Sequence, residues 1–130
     1  MPLTHREGLI MYWCEGDRSE ESRTYRAALT STYPKINKLF VQWLKEYYGV
    51  EKARMKVRLH LWRTSNEKVA KDFWSTELEI PLINFTKSWT KPRGKSGGKR
   101  THLFGICRVS VSSKQLIHKI ISDINREFLR

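Results

Sequence analysis

Apolar residues along the chain alternate between two spacings. In "GLIMYWCEGD", residues 8–17, apolar and aromatic side chains crowd together and end in Glu15-Gly16-Asp17. This predicts a helix from Leu3 or Thr4 to Glu15, stopped by Gly16. In "DRSEESRTYRAALTST", Tyr25, Ala27 and Leu29 alternate with Arg26, Ala28 and Thr30. That is the period of one or two strands, with a turn near Glu20–Ser22. "TSTYPKINKLFVQWLKEYYGV" returns to helical spacing, with Ser31 or Thr32 as cap, Pro34 in the first turn and Gly49 at the end. Its apolar stripe is Ile36, Leu39, Phe40, Trp43, Leu44 and Tyr47.

The clearest strand follows in "ARMKVRLHLW". Met55, Val57, Leu59 and Leu61 fall on one face, and Arg54, Lys56, Arg58, His60 and Trp62 on the other. Such alternation predicts a half-buried strand whose cationic side meets solvent or a ligand. "SNEKVAKDFWSTEL" reads as a helix capped by Ser65 or Asn66, burying Val69, Ala70, Phe73, Trp74 and Leu78 and closed by Ile80-Pro81. Two strands then flank "KPRGKSGGKR", whose five cations and three glycines predict a mobile loop. The outgoing strand points Leu103, Cys107, Val109 and Val111 inward and Arg108, Ser110 and Ser112 outward. Ser112 or Ser113 caps a last helix with Leu116, Ile117, Ile120, Ile121, Ile124 and Phe128 on its stripe. The order of elements predicts one α+β domain over residues 1–130, with helices backing one face of a sheet.

Charge changes the picture. Lys and Arg number 25 against 13 Asp and Glu, a formal charge of +12 on 130 residues. A folded chain with this imbalance repels itself unless its partner is polyanionic, so nucleic acid comes first and an anionic membrane surface second. No apolar run reaches the roughly 18–20 residues of a membrane span, and "MPLTHREG" lacks the layout of a signal peptide. Cys14 and Cys107 form no CxxC pair, which predicts a reduced, cytoplasmic protein. The four histidines lack ligand spacing, which argues against a zinc site.

The outward sides of the strands add up to one basic surface: Arg54, Lys56, Arg58 and His60 with Arg108 and Ser110, joined by Arg23 and Arg26. A β-ribbon of this kind fits the major groove of DNA, whereas a flat RNA-binding sheet needs exposed aromatics, for which Trp62 and Trp89 are the candidates. Double-stranded DNA is the expected partner. The strand cations are fixed by regular backbone and suit base readout. Lys91, Arg93, Lys95, Lys99 and Arg100 on the loop suit phosphate contacts.

A helix ending in acid-glycine, followed by a strand pair, a helix and a basic sheet, resembles the LAGLIDADG homing endonuclease family. The signature falls on Gly8-Leu9-Ile10-Met11-Tyr12-Trp13-Cys14-Glu15-Gly16, supported by "RAALTSTYPKINKLFVQWL" and "GICRVSVSSKQLIHKI". The resemblance implies a curved antiparallel sheet that holds DNA and is backed by helices. It also implies a signature helix packed against its twin in a second subunit, and a penultimate acid at the seam that binds Mg²⁺ or Mn²⁺. Carried onto this chain, Glu15 is the metal ligand and the homodimer meets through Gly8, Ile10, Met11, Tyr12 and Cys14. The family also implies a basic residue near the scissile phosphate, for which Lys87, Lys91, Arg93 and Lys99 are candidates. Asp17 assists the site or caps the turn.

This chain departs from the family pattern in carrying Glu where Asp is usual, Ile10 where a small residue is common, and a single motif. The leading expectation is a homodimeric, metal-dependent double-stranded DNA endonuclease with no small-molecule cofactor. The alternative is a non-cleaving nucleic-acid-binding protein on the same fold, such as an intron splicing helper or a transcription regulator. A basic ribosome-associated protein would explain the charge but not the acid that ends the first helix.

Overall fold

Four helices and five strands account for most of the described residues. The computed structural model describes residues 3–19, 25–62, 65–91 and 104–129. Helix α1 (His5–Glu15) begins at a reciprocal cap: Thr4 Oγ1 accepts from the Glu7 N–H at 3.1 Å, and the Glu7 carboxylate accepts from the Thr4 N–H at 2.9 Å. It runs directly into strand β1 (Gly16–Ser19), which pairs with β2 (Arg26–Ser31). Gly16 is extended, with φ −81, so no left-handed turn demands a glycine there. A β-carbon at Gly16 would lie 2.4 Å from the Tyr12 ring, and that close approach is the reason for glycine.

Helix α2 (Pro34–Tyr48) starts with proline, which has no N–H to leave orphaned, and stops at Gly49 in the left-handed region, φ 63. Its cap position is Tyr33, which makes no side-chain cap bond; Ser31 Oγ instead accepts from the Tyr33 N–H at 3.0 Å. A short 3₁₀ turn (Lys52–Arg54) precedes β3 (Lys56–Trp62). Asn66 caps α3 (Glu67–Leu78) and Ser113 caps α4 (Lys114–Phe128), each accepting from an N–H three residues on at 3.1 Å. Between them lie a second 3₁₀ turn (Leu82–Asn84), β4 (Trp89–Lys91) and β5 (Ile106–Ser112).

The strands form one sheet in the order β1-β2-β5-β3-β4. Three neighbouring pairs are antiparallel, but β4 runs parallel to β3, so the sheet is mixed and not the wholly antiparallel one expected. The two strands flanking the basic loop do not form a hairpin: β3 stands between them. One face carries Ala27, Leu29, Val57, Leu59, Leu61, Cys107, Val109 and Val111, all buried beneath the helices. This burial of apolar surface is the main stabilising term of the fold. Among the described residues, no helix is long and apolar enough to cross a membrane.

Several burial expectations need correction. Tyr47 and Val69 are exposed, while Val41, Asn37 and Asp123 are buried. The Asn37 amide nitrogen donates to the Cys107 carbonyl at 3.1 Å, while its Oδ1 is buried without a hydrogen-bond partner among the described residues. Asp123 accepts from the Tyr48 hydroxyl at 2.7 Å and from Arg126 at 2.6 Å, with His5 Nε2 at 3.7 Å, which ties α1, α2 and α4 together. Burial, and then the hydrogen bond to Asp123, push the Tyr48 phenol well above its usual range. Arg54, expected on the basic strand, lies in the 3₁₀ turn before it.

Candidate nucleic-acid interface

Strand register settles which side chains share the face left open by the helices. Lys56 pairs with Ser110, Arg58 with Arg108 and His60 with Ile106; Ser110 pairs onward with Ala28, Arg108 with Thr30, and Ser112 with Arg26. Asp17 lies beside Ala28 and Trp89 beside His60. The open face therefore gathers Arg26, Lys56, Arg58, His60 and Arg108 from three strands, as the alternation in sequence predicts.

These cations are not equivalent. Arg108 is half-buried and spent on Asp17, its Nη2 standing 2.9 Å from Oδ2. Arg26 is half-buried, with its Nε buried and without a hydrogen-bond partner among the described residues. Lys56 and Arg58 are exposed and form no ion pair among the described residues. Like charges directly opposite on a ladder are unfavourable, and Asp17 relieves the Arg58–Arg108 juxtaposition. What remains is a field from Lys56 and Arg58 that no ion pair among the described residues balances.

His60 belongs to the same field. Partial burial, then Arg58 and Arg108, hold its imidazole below the ordinary pKa of 6.5. Below that pH the unfolded chain binds a proton that folded His60 resists, so stability should fall as pH drops through 6.5. The His60→Gln variant should lose less stability over the same interval, checked by urea unfolding between about pH 7.5 and 5.

Glu15 is exposed at the last turn of α1, where the carbonyl end of the helix is negative and no basic residue stands in that turn. A carboxylate there costs roughly 0.3–1 kcal/mol, which a cation at the site would offset. The side chain lines an open depression of about 480 Å³ with Thr30, Ser31, Thr32, Tyr33, Ile36 and Ile106. Thr30 and Ile106 belong to the open face, so Glu15 stands at its border. No Lys or Arg lines this depression among the described residues. Lys87 is exposed and acts electrostatically on Glu67, at the start of α3. Lys91 ends β4, in register with Trp62. Arg23, Arg93, Lys95, Lys99 and Arg100 lie outside the described residues.

The expected dimer face is only partly free. Gly8 is buried against Trp43 of α2, and Tyr12 is wholly buried, its ring 5.9 Å from those of Phe40 and Trp43. The Tyr12 hydroxyl donates to the Asp17 carbonyl. Both residues serve the subunit's own core, which corrects their assignment to a seam. Ile10 is 42 % exposed, Cys14 is exposed and Met11 half-buried, so an apolar strip remains on the solvent side of α1. Cys107, by contrast, is buried, and burial raises its thiol pKa far above the usual range.

Sequence reasoning gave too little weight to an aromatic group at one end of this face. His60, Leu61, Trp62, Trp89 and Ile106 line an open pocket of about 130 Å³, and the His60 and Trp89 rings meet edge to face at 5.7 Å. The signal was the pair of tryptophans, but their convergence depends on β4 pairing with β3. Comparison of the chain with protein-family models, curated proteins and solved structures found no match.

Proposed function

We propose that this protein binds double-stranded DNA on the open face of its sheet. The observation that carries the reading is the register that sets exposed Lys56 and Arg58 beside His60 and Arg108 on the face the helices leave bare. Cations held by a regular ladder can follow a groove and contact both base edges and phosphates. In salt titrations with mixed-sequence duplex, Arg58→Ala should cost about 1–3 kcal/mol and lower the salt slope by roughly one. Equal affinity and slope in wild type and variant would reject the open face as the binding surface.

The second reading, cleavage within a LAGLIDADG-like homodimer, rests on Glu15. What supports it is a signature helix that leads without a loop into β1, with its terminal carboxylate at the border of the open face and Ile10 and Cys14 exposed beside it. Among the described residues, no group of three or more His, Cys, Asp and Glu is placed to hold a metal ion. In this reading a second subunit adds its own Glu15 to the cation site. When bound, the cation would activate water and stabilise the leaving oxygen. Within one subunit, Glu15 offers the hard oxygen ligand, Asp17 holds Arg108, and the Ile10–Cys14 strip offers the surface for the twin.

A further inference from the structure

At the end of the sheet where β5 begins, aromatic rings interrupt the basic face. Trp89 is 45 % exposed on edge strand β4, and its ring meets that of His60 at 5.7 Å. Trp62 follows His60 by two residues on the same face, and Ile106 lies opposite His60 on β5. A large indole left in water forgoes the stabilisation that burial would give. Here it forms a wall of a pocket of about 130 Å³, a space of the order of one heterocyclic base. Arg58, exposed and without an ion pair among the described residues, precedes His60 by two positions on the same face.

We infer that the pocket formed by His60, Trp62, Trp89 and Ile106 receives one unstacked nucleobase, with Arg58 on the phosphate beside it. This rests on the open face being the nucleic-acid surface, and it adds a ligand that a fully paired duplex does not present. An indole face stacks on any base, so recognition here is of an unpaired base and not of a sequence. The depressed pKa of His60 keeps its ring neutral near pH 7, able to share a hydrogen bond with a base edge. Ile106 also lines the Glu15 depression, so a base seated here lies next to that site across a single side chain. The base can come from a single strand or from a duplex in which one nucleotide has swung out.

The test titrates the full chain with a short thymidine single strand, a paired duplex of matched length, and that duplex with one unpaired thymine. Trp89→Ala should weaken binding to the strand, the bulged duplex or both by about 5- to 150-fold, the loss given by one stacking contact. It should leave the paired duplex nearly unchanged, and Trp89→Phe should recover most of the loss. Which of the two probes responds identifies the source of the base. With 2-aminopurine at the unpaired position, wild type should quench its fluorescence and Trp89→Ala should not. If Trp89→Ala weakens all three probes alike, or none, while Arg58→Ala weakens all three, the pocket holds no base and the open-face reading stands. If wild type binds none of the probes, both fail.

Discussion

Under the cleavage reading proposed above, replacing Glu15 with Gln is expected to abolish most DNA cleavage while leaving the fold and DNA binding in place. The amide keeps the size of the side chain but removes the charge that a hard divalent cation requires. With Mg²⁺ or Mn²⁺ present, cleavage should fall by roughly 10²- to 10³-fold, the range for losing one electrostatic contact to a transition state. In metal-free buffer, affinity for duplex should hold or rise, because a negative charge beside the phosphates has gone. The variant should melt slightly later than its parent, since Gln also relieves the carboxylate at the negative end of α1. That shift separates loss of chemistry from loss of structure. A Glu15→Gln protein that cuts as fast as its parent would rule Glu15 out as a ligand. A parent that cuts no DNA with either metal would leave the non-cleaving alternative.

Gly8→Ala should unfold the protein more readily, by about 3 kcal/mol, or roughly 10 °C in melting temperature. A β-carbon at Gly8 would stand 2.1 Å from Trp43 Cδ1 and Nε1. Trp43 cannot swing away cheaply: it is 1 % exposed, and its Nε1 donates to His5 Nδ1 at 3.1 Å. The higher helix propensity of alanine, worth about 1 kcal/mol, offsets only part of the clash. The loss should be the same at any protein concentration, because the contact lies within one subunit. Were Gly8 instead part of a seam between copies, the same change would leave the subunit intact and weaken association, a concentration-dependent signature. Thermal unfolding at two concentrations tells these apart.

The sequence announced this fold where local chemistry and burial coincide. Strand β3 is legible because Val57, Leu59 and Leu61 are strongly apolar and Lys56 and Arg58 strongly polar, so alternation alone assigns both faces. It overreached at Arg54, since an exposed cation looks the same in a 3₁₀ turn as at the start of a strand. Helix α1 was legible as a helix but not in its partners. It is apolar on both sides, and the burial of Gly8, Leu9 and Tyr12 in the structure shows which side faces its own core. The Asp17–Arg108 pair joins residues 91 apart, and no local pattern encodes it. Strand β4 spans three residues, too few for a period to declare itself, so the aromatic pocket it completes was invisible until β3 and β4 were paired.

The position of β5 has a bearing on how the chain comes together in time. Among the described strands, β1 pairs with β2 and β4 with β3, and β2 and β3 each pair with β5. Until the residues from Ile106 onward have been made, β2 and β3 each keep one edge without its partner strand, and the β1-β2 and β3-β4 pairs share no ladder hydrogen bond. Such edges invite pairing with other chains, and the long loops closed by β5 make the final step a slow one. Among the described strands β5 is the last in chain order, so the sheet can be joined only after the other four have been made.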